Sequence, residues 1–137
     1  MNTRNVVASV LAGLALAFSI GTFAHDGAQE KITILQDHPA LNAPGKKVLM
    51  LTVDYLPGQA SIPHSHAGTT MAYVLEGAII SKVNDGKETT YTPGQSWYEP
   101  AGAKHYVSKN ASATQPAKLL VYMVLDEKDP VLTPLAK

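Results

Sequence analysis

From about residue 31 onward, short apolar runs rich in Val, Ile, Thr and Tyr alternate with clusters of Gly, Pro and Asp, and no stretch keeps a helical period. That pattern predicts nine strands: Lys31–Leu35, Lys47–Tyr55, Ser61–His66, Thr70–Leu75, Ala78–Val83, Glu88–Thr92, Ser96–Glu99, Lys104–Lys109 and Lys118–Leu125. Asp85-Gly86, flanked by Asn84 and Lys87, predicts a tight hairpin because both residues tolerate positive φ. Further breaks fall at Asn42-Ala43-Pro44-Gly45, Pro57-Gly58, Pro93-Gly94 and Pro100-Ala101-Gly102. Strands and turns at such regular spacing imply an all-β sandwich or closed barrel, an arrangement that also disposes of exposed edges. The last strand, Leu119 to Leu125, is apolar on both faces. One face is expected in the barrel, the other on a partner, such as a second copy in a homodimer, or on the N-terminal strand.

The start of the chain follows a different pattern. Residues Val6 to Ile20 are almost wholly apolar, follow a short polar stretch with Arg4, and lead into Gly21-Thr22-Phe23-Ala24. This is the arrangement of a secretory signal peptide, too short in its apolar run for a comfortable membrane span and with small residues suited to cleavage before His25. The expected organisation is a signal peptide over 1–24, an N-terminal strand and loop over 25–45, a barrel over 46–126 and a C-terminal tail over 127–137. The mature protein is expected to be periplasmic or secreted from a bacterium, free of the membrane once the signal is cleaved. Cleavage removes the only Arg and leaves ten Lys against eleven acids.

Eleven basic and eleven acidic residues in 137 give no formal charge, and charged residues make up only 16% of the chain. A nucleic-acid partner is therefore not expected, since it needs clustered Lys and Arg to neutralise phosphates. There is no Cys, which excludes disulfide scaffolds, thiolate metal sites, thiol nucleophiles and a lipoprotein anchor. Any metal must sit on His, carboxylate or Met.

Three of the five histidines, His64, His66 and His105, fall close to Gly or Pro turns. If the segment around His64 is extended, strand alternation puts His64 and His66 on one face with Cα atoms about 6–7 Å apart, close enough for two imidazoles to converge on one ion. Neutral imidazole ligates Zn, Fe, Cu, Ni and Mn alike, so the pair is chemically sensible, although spacing alone equally fits two surface histidines.

The stretch from Gly58 through His64-Ser65-His66 to Gly77 resembles the first motif of the cupin superfamily: Gly, five residues, His-x-His, three or four residues, Glu, six residues, Gly. The second motif, Gly, five residues, Pro-x-Gly, two residues, His, three residues, Asn, is matched by Gly94, Pro100, Gly102 and His105. Thr70 stands at the Glu position, with Met71 there in the longer spacing variant, and Lys109 stands at the Asn position with Asn110 one place late. The resemblance covers roughly Gly58–Asn110. It implies a cupin-type jelly-roll β-barrel in which His64, His66 and His105 bind one divalent metal ion per chain, its identity undetermined among Fe, Zn, Cu, Mn and Ni. Without the motif carboxylate the site is one negative charge short, which weakens its hold on hard ions and leaves a coordination position open. Three functions remain open. One is a tri-His, metal-dependent oxygenase-like or isomerase-like enzyme acting on a small molecule; another is a non-catalytic extracytoplasmic binder of metal or small ligand; the third is a structural or sensory barrel without metal.

Around that centre, Thr70 is expected to hold a metal-bound water or line the cavity, since a neutral hydroxyl is a poor ligand. Met71 is a candidate soft ligand or a packing residue, and Tyr73, Trp97, Tyr98, Tyr106 and Tyr122 are candidates for pocket walls or for core. Glu76 and Glu99 are expected at solvated turns, and His38 in a loop. His25, as a mature N-terminus, would chelate copper only with further His ligands nearby. Asn110-Ala111-Ser112 reads as a displaced relic of the second motif or as a turn rather than a glycosylation site.

Overall fold

A computed structural model describes residues 29–136; the apolar run of residues 6–20, the expected cleavage site and His25 lie outside them. Among the described residues the chain forms ten strands: β1 (Lys31–Pro39), β2 (Lys46–Tyr55), β3 (His64–Ser65), β4 (Thr69–Glu76), β5 (Ile79–Val83), β6 (Thr89–Tyr91), β7 (Ser96–Glu99), β8 (Lys104–Asn110), β9 (Ala117–Asp126) and β10 (Thr133–Pro134). They pair antiparallel into two five-stranded sheets, a first of order β1-β2-β9-β4-β7 and a second of order β10-β3-β8-β5-β6. The all-β jelly-roll expectation is met. Among the described residues no helix is long and apolar enough to cross a membrane.

Alternation builds the core. In β2 every second residue from Leu49 to Tyr55 is buried, and in β9 every second residue from Ala117 to Leu125. Burying a Leu, Val or Met side chain contributes roughly 1.5–3 kcal/mol each, so these two central strands supply most of the apolar stabilisation. Across the first sheet the register joins Leu49, Met123, Thr70 and Glu99 into one inward row, and Leu51, Val121, Ala72 and Trp97 into the next. Each row therefore begins in hydrocarbon on β2 and β9 and ends at a polar or aromatic side chain on β7.

Details of the connections differ from the sequence expectation. In the hairpin between β5 and β6 the left-handed residue is Asn84, at φ 49°, rather than Asp85 or Gly86. The reason is the neighbouring strand: the Asn84 side-chain oxygen accepts from the Lys104 N–H at 2.9 Å, and its own N–H donates to the Lys104 carbonyl at 2.8 Å. This clamp holds β5 against β8 where their register shifts after Lys82. The run expected as one strand over Ser61–His66 narrows to β3, flanked by β10 from the C-terminal segment. Gly77 is required in its place. Its φ is +71°, and a Cβ there would sit 2.5 Å from the Pro116 carbonyl oxygen.

Candidate metal centre

The three histidines arrive from two short segments of the second sheet. His64 on β3 stands in register with His105 on β8, so backbone pairing alone sets those two side chains side by side. His66 follows two residues later and returns to the same face. All three are buried, at 5%, 8% and 3% exposure, and one ring nitrogen from each lies within 4.8 Å of the others. The His64 ring is 4.8 Å from that of His66 and 5.1 Å from that of His105, both edge-on.

Each ring is held from behind. His64 Nδ1–H donates to the Ile62 carbonyl at 2.7 Å, and His66 Nδ1–H donates to the Val131 carbonyl, also at 2.7 Å. These bonds fix the tautomer and leave both Nε2 lone pairs free to ligate. The His105 Nε2 lies 2.8 Å from the Ser81 hydroxyl, and its Nδ1 lies 3.3 Å from Glu99 Oε1. The segment expected as a C-terminal tail thus takes part in the site: Val131 orients His66, and β10 pairs with the strand that carries His64.

Burial in this apolar surround lowers the His66 pKa to about 4 and that of His105 to about 3, the neighbouring imidazoles adding to the effect in each case. At neutral pH these rings are neutral, the form that binds a metal. The 3.8 Å approach of His66 Nε2 to Glu99 Oε2 is accordingly not an ion pair at that pH.

Glu99 overturns the expectation of a solvated turn carboxylate. It is 2% exposed, and burial pushes its pKa up to about 7 against the opposing effect of a hydrogen bond from Trp97. The cause is alternation over Ser96-Trp97-Tyr98-Glu99, where Trp97 and Glu99 share the inward face. That face was readable in principle, because an inward Trp97 obliges an inward Glu99. The Ser81 hydroxyl and the Val131 carbonyl had no comparable signal, since they reach the histidines only through tertiary pairing.

The same alternation divides the other candidates. Thr70, 1% exposed, and Trp97, 8% exposed, line the cavity with the histidines. Met71, Tyr73 and Tyr98 point the other way, at 45%, 44% and 57% exposure, so the reading of these three as ligand or pocket wall is corrected. Tyr106 is likewise exposed on the outer side of the barrel, beside Ile62 and Pro134, and Tyr122 lies half-buried on the outer side of β9. Glu76 is exposed at the end of β4, and His38 stands on the exposed strand β1 rather than in a loop. Asn110 is the buried last residue of β8, rather than part of a turn, and its amide donates to the carbonyls of Leu56 and Gln115.

The cavity is walled by apolar side chains such as Leu51, Val53, Leu119 and Val121 together with the three histidines, Thr70 and Glu99. It offers about 40 Å³ to the centres of water-sized molecules. At roughly 10–15 Å³ per water, that is room for a few water-sized groups. The donor set suits a divalent ion: three imidazoles converge, a carboxylate stands beside them, and Thr70 Oγ1 and Glu99 Oε2 are buried without a hydrogen-bond partner.

Comparison with known proteins agrees with this architecture. No curated protein sequence matches the chain. Among solved structures, the protein TT1209 from Thermus thermophilus is similar at 30% identity over 69% of this chain and 82% of that one, with a TM-score of 0.56. A recombinant oxalate oxidase in complex with glycolate aligns at 23% identity and a TM-score of 0.61, covering 77% of this chain and 54% of that one. The DMSP lyase DddQ from Ruegeria pomeroyi DSS-3 aligns at 15% identity and 0.62, covering 77% and 51%. This chain spans about half the length of each of the latter two, and those likenesses concern the fold alone. The Cupin domain family matches residues 51–123, more than half of the chain, running from within β2 to within β9 and including the three histidines. This chain belongs to the cupin family.

Proposed function

We propose that this protein is an exported cupin that holds one divalent metal ion on His64, His66 and His105 and uses it to bind and transform a small oxygen-donor molecule. The observation that carries this reading is the convergence of three buried imidazoles, two with Nε2 freed by Nδ1–carbonyl bonds, in the wall of a largely apolar cavity. A metal held there by these three side chains would supply Lewis acidity to an oxygen donor. The chain's own contributions are orientation and exclusion. Ser81, Ile62 and Val131 hold the rings, Trp97 and the β2 and β9 side chains wall the cavity with apolar surface, and Thr70 lines it with a hydroxyl. The room for only a few water-sized groups favours a compact ligand, of the order of a two-carbon hydroxy acid, over a large aromatic one.

His64→Ala and His105→Ala are expected to abolish metal stoichiometry, measured by elemental analysis of the purified protein, while the circular dichroism of the folded barrel is kept. Unchanged metal content in both variants would overturn the assignment. Oxygen uptake with Fe(II) supplied, tested against diketones, phenolics, thiols and glycolate, separates an enzyme from a binder. Export rests on the apolar run of residues 6–20 and the small residues before His25. A mature N-terminus at His25 in an extracytoplasmic fraction, read by mass spectrometry, is the expected result.

A further inference from the structure

Two buried polar atoms stand out among the described residues: Thr70 Oγ1 and Glu99 Oε2 have no hydrogen-bond partner. They are not independent. Thr70 on β4 and Glu99 on β7 are register partners across the strand pair, with side chains on the same inward face. Residues directly opposite in an antiparallel pair have Cβ atoms about 4.5–5.5 Å apart, so a group carried by one can serve nearly the same point in space from the other. Thr70 occupies the position at which the first cupin motif carries its carboxylate.

Resting on the tri-His metal reading, we propose that Glu99 supplies the carboxylate ligand of this centre, delivered from β7 across the strand pair instead of from position 70 on β4. Its two oxygens are already differentiated. Oε1 accepts a hydrogen bond from Trp97 Nε1–H at 2.8 Å, which fixes the plane of the carboxylate, while Oε2 stays bare and lies 3.8 Å from His66 Nε2. Glu99 Oε1 also lies 3.3 Å from His105 Nδ1, so the carboxylate borders two of the three imidazoles. Ionised, a carboxylate buried at 2% exposure with one oxygen unpaired is costly on its own, and a cation beside it would satisfy both the lone pairs and the charge. Trp97 is then a positioning residue. With the carboxylate supplied from β7, the Thr70 hydroxyl is left for the metal's other occupant, a water or a ligand oxygen.

The test uses the full mature protein, with Mn²⁺ and Cu²⁺ affinities measured by titration calorimetry. Glu99→Gln keeps the shape and removes the anionic oxygen. It is expected to weaken Mn²⁺ binding by about 100-fold or more and Cu²⁺ binding by much less, because Mn²⁺ depends on hard oxygen donors and Cu²⁺ on imidazole. A purely structural role for Glu99 would lower both affinities in parallel. The exchanged variant Thr70→Glu/Glu99→Thr, which returns the carboxylate to β4, is expected to recover Mn²⁺ binding to within about tenfold of the original. Glu99→Gln binding Mn²⁺ like the parent, or losing both metals equally, overturns the proposal. His64→Ala keeps the two readings apart. If it leaves Mn²⁺ and Cu²⁺ binding untouched, the tri-His centre fails. If it abolishes both while Glu99→Gln leaves the Mn²⁺ to Cu²⁺ ratio unchanged, only the carboxylate assignment fails.

Discussion

The two sheets of the barrel bury very different chemistry. The first contributes nearly all of the buried hydrocarbon, from Leu49, Leu51 and Val53 on β2 through Leu119, Met123 and Leu125 on β9. The second buries His64, Ser81, His105, Ser108 and Asn110 and adds little hydrocarbon beyond Ile79. Each buried polar group of the second sheet has a named partner, as when the Tyr55 hydroxyl reaches across to Ser61 and Ser108 at 2.7 and 2.8 Å. The exceptions lie on the first sheet, at Thr70 and Glu99, where its inward row of Leu49 and Met123 turns polar. One sheet thus stabilises the barrel while the other arms it, and the unsatisfied atoms mark where the apolar sheet reaches into the site.

Truncating the apolar sheet away from the cavity should therefore cost stability without disturbing the histidine site. Leu49, 1% exposed and not part of the cavity wall, is the cleanest place to test it. Leu49→Ala is expected to lower unfolding free energy by about 2–5 kcal/mol in urea titrations, with metal stoichiometry of the folded fraction intact. A coincident loss of metal would show that the two sheets do not have separable roles.

Trp97 sits on the boundary, packing its ring 4.8 Å from that of Tyr91 while its N–H serves Glu99. Trp97→Phe removes that donor and leaves the carboxylate less well paired, at an expected cost of about 1–3 kcal/mol. The part of this cost that belongs to the hydrogen bond should vanish in a Glu99→Leu background, which has no acceptor for the Trp97 N–H; equal costs in the two backgrounds would assign the whole effect to packing.

The polar side of the comparison has its own signature in pH. In chelator-stripped protein, the unfolded chain protonates the side chains of His66 and His105 below about pH 6.5, whereas the folded chain keeps them neutral down to about 4 and 3. Their contribution to stability is therefore lost as pH falls from 6.5 toward 4. Glu99 acts oppositely: with its folded pKa near 7 against 4.5 unfolded, its contribution is lost as pH rises through that interval. Two imidazoles outweigh one carboxyl. Stability is expected to rise with pH between 4.5 and 6.5, with a slope on the order of 1 kcal/mol per pH unit near 5.5, and to level off near 7. Glu99→Gln should make the rise steeper. A flat melting-temperature profile over that range would contradict the burial of these groups.

Much of this architecture was legible in the residues, and for a physical reason. Strand alternation and turn residues are local, so β2, β4, β7 and β9 and the inward set of His64, His66 and His105 could be read from spacing and motif. What escaped depends on which strands become neighbours. Glu99 next to Pro100 looks like a turn residue until Trp97 is known to face inward, and its standing opposite Thr70 is a fact of register between β4 and β7. β10 is two residues long, and Val131 acts through its carbonyl, which no side-chain pattern announces. The misplacement of Met71, Tyr73 and Tyr98 came from grouping aromatic and soft side chains by chemistry instead of by parity along the strand.

Parity also yields the smallest effect and the narrowest test. On the outer side of the first sheet, the register aligns Met50, Tyr122, Met71 and Tyr98 in a row one residue out of phase with the inward rows. Met71 and Tyr98 lie one step from Thr70 and Glu99 in sequence, yet their side chains leave the opposite face of the sheet. Met71→Thr and Tyr98→Ser remove sulfur and aromatic ring while keeping β-compatible or small polar groups at exposed sites. Each is expected to shift unfolding free energy by no more than about 0.5 kcal/mol and to leave Mn²⁺ and Cu²⁺ affinities unchanged. A change in metal affinity from either would mean that the strands are displaced by one residue in register, which would exchange the two faces and move Thr70 and Glu99 out of the cavity.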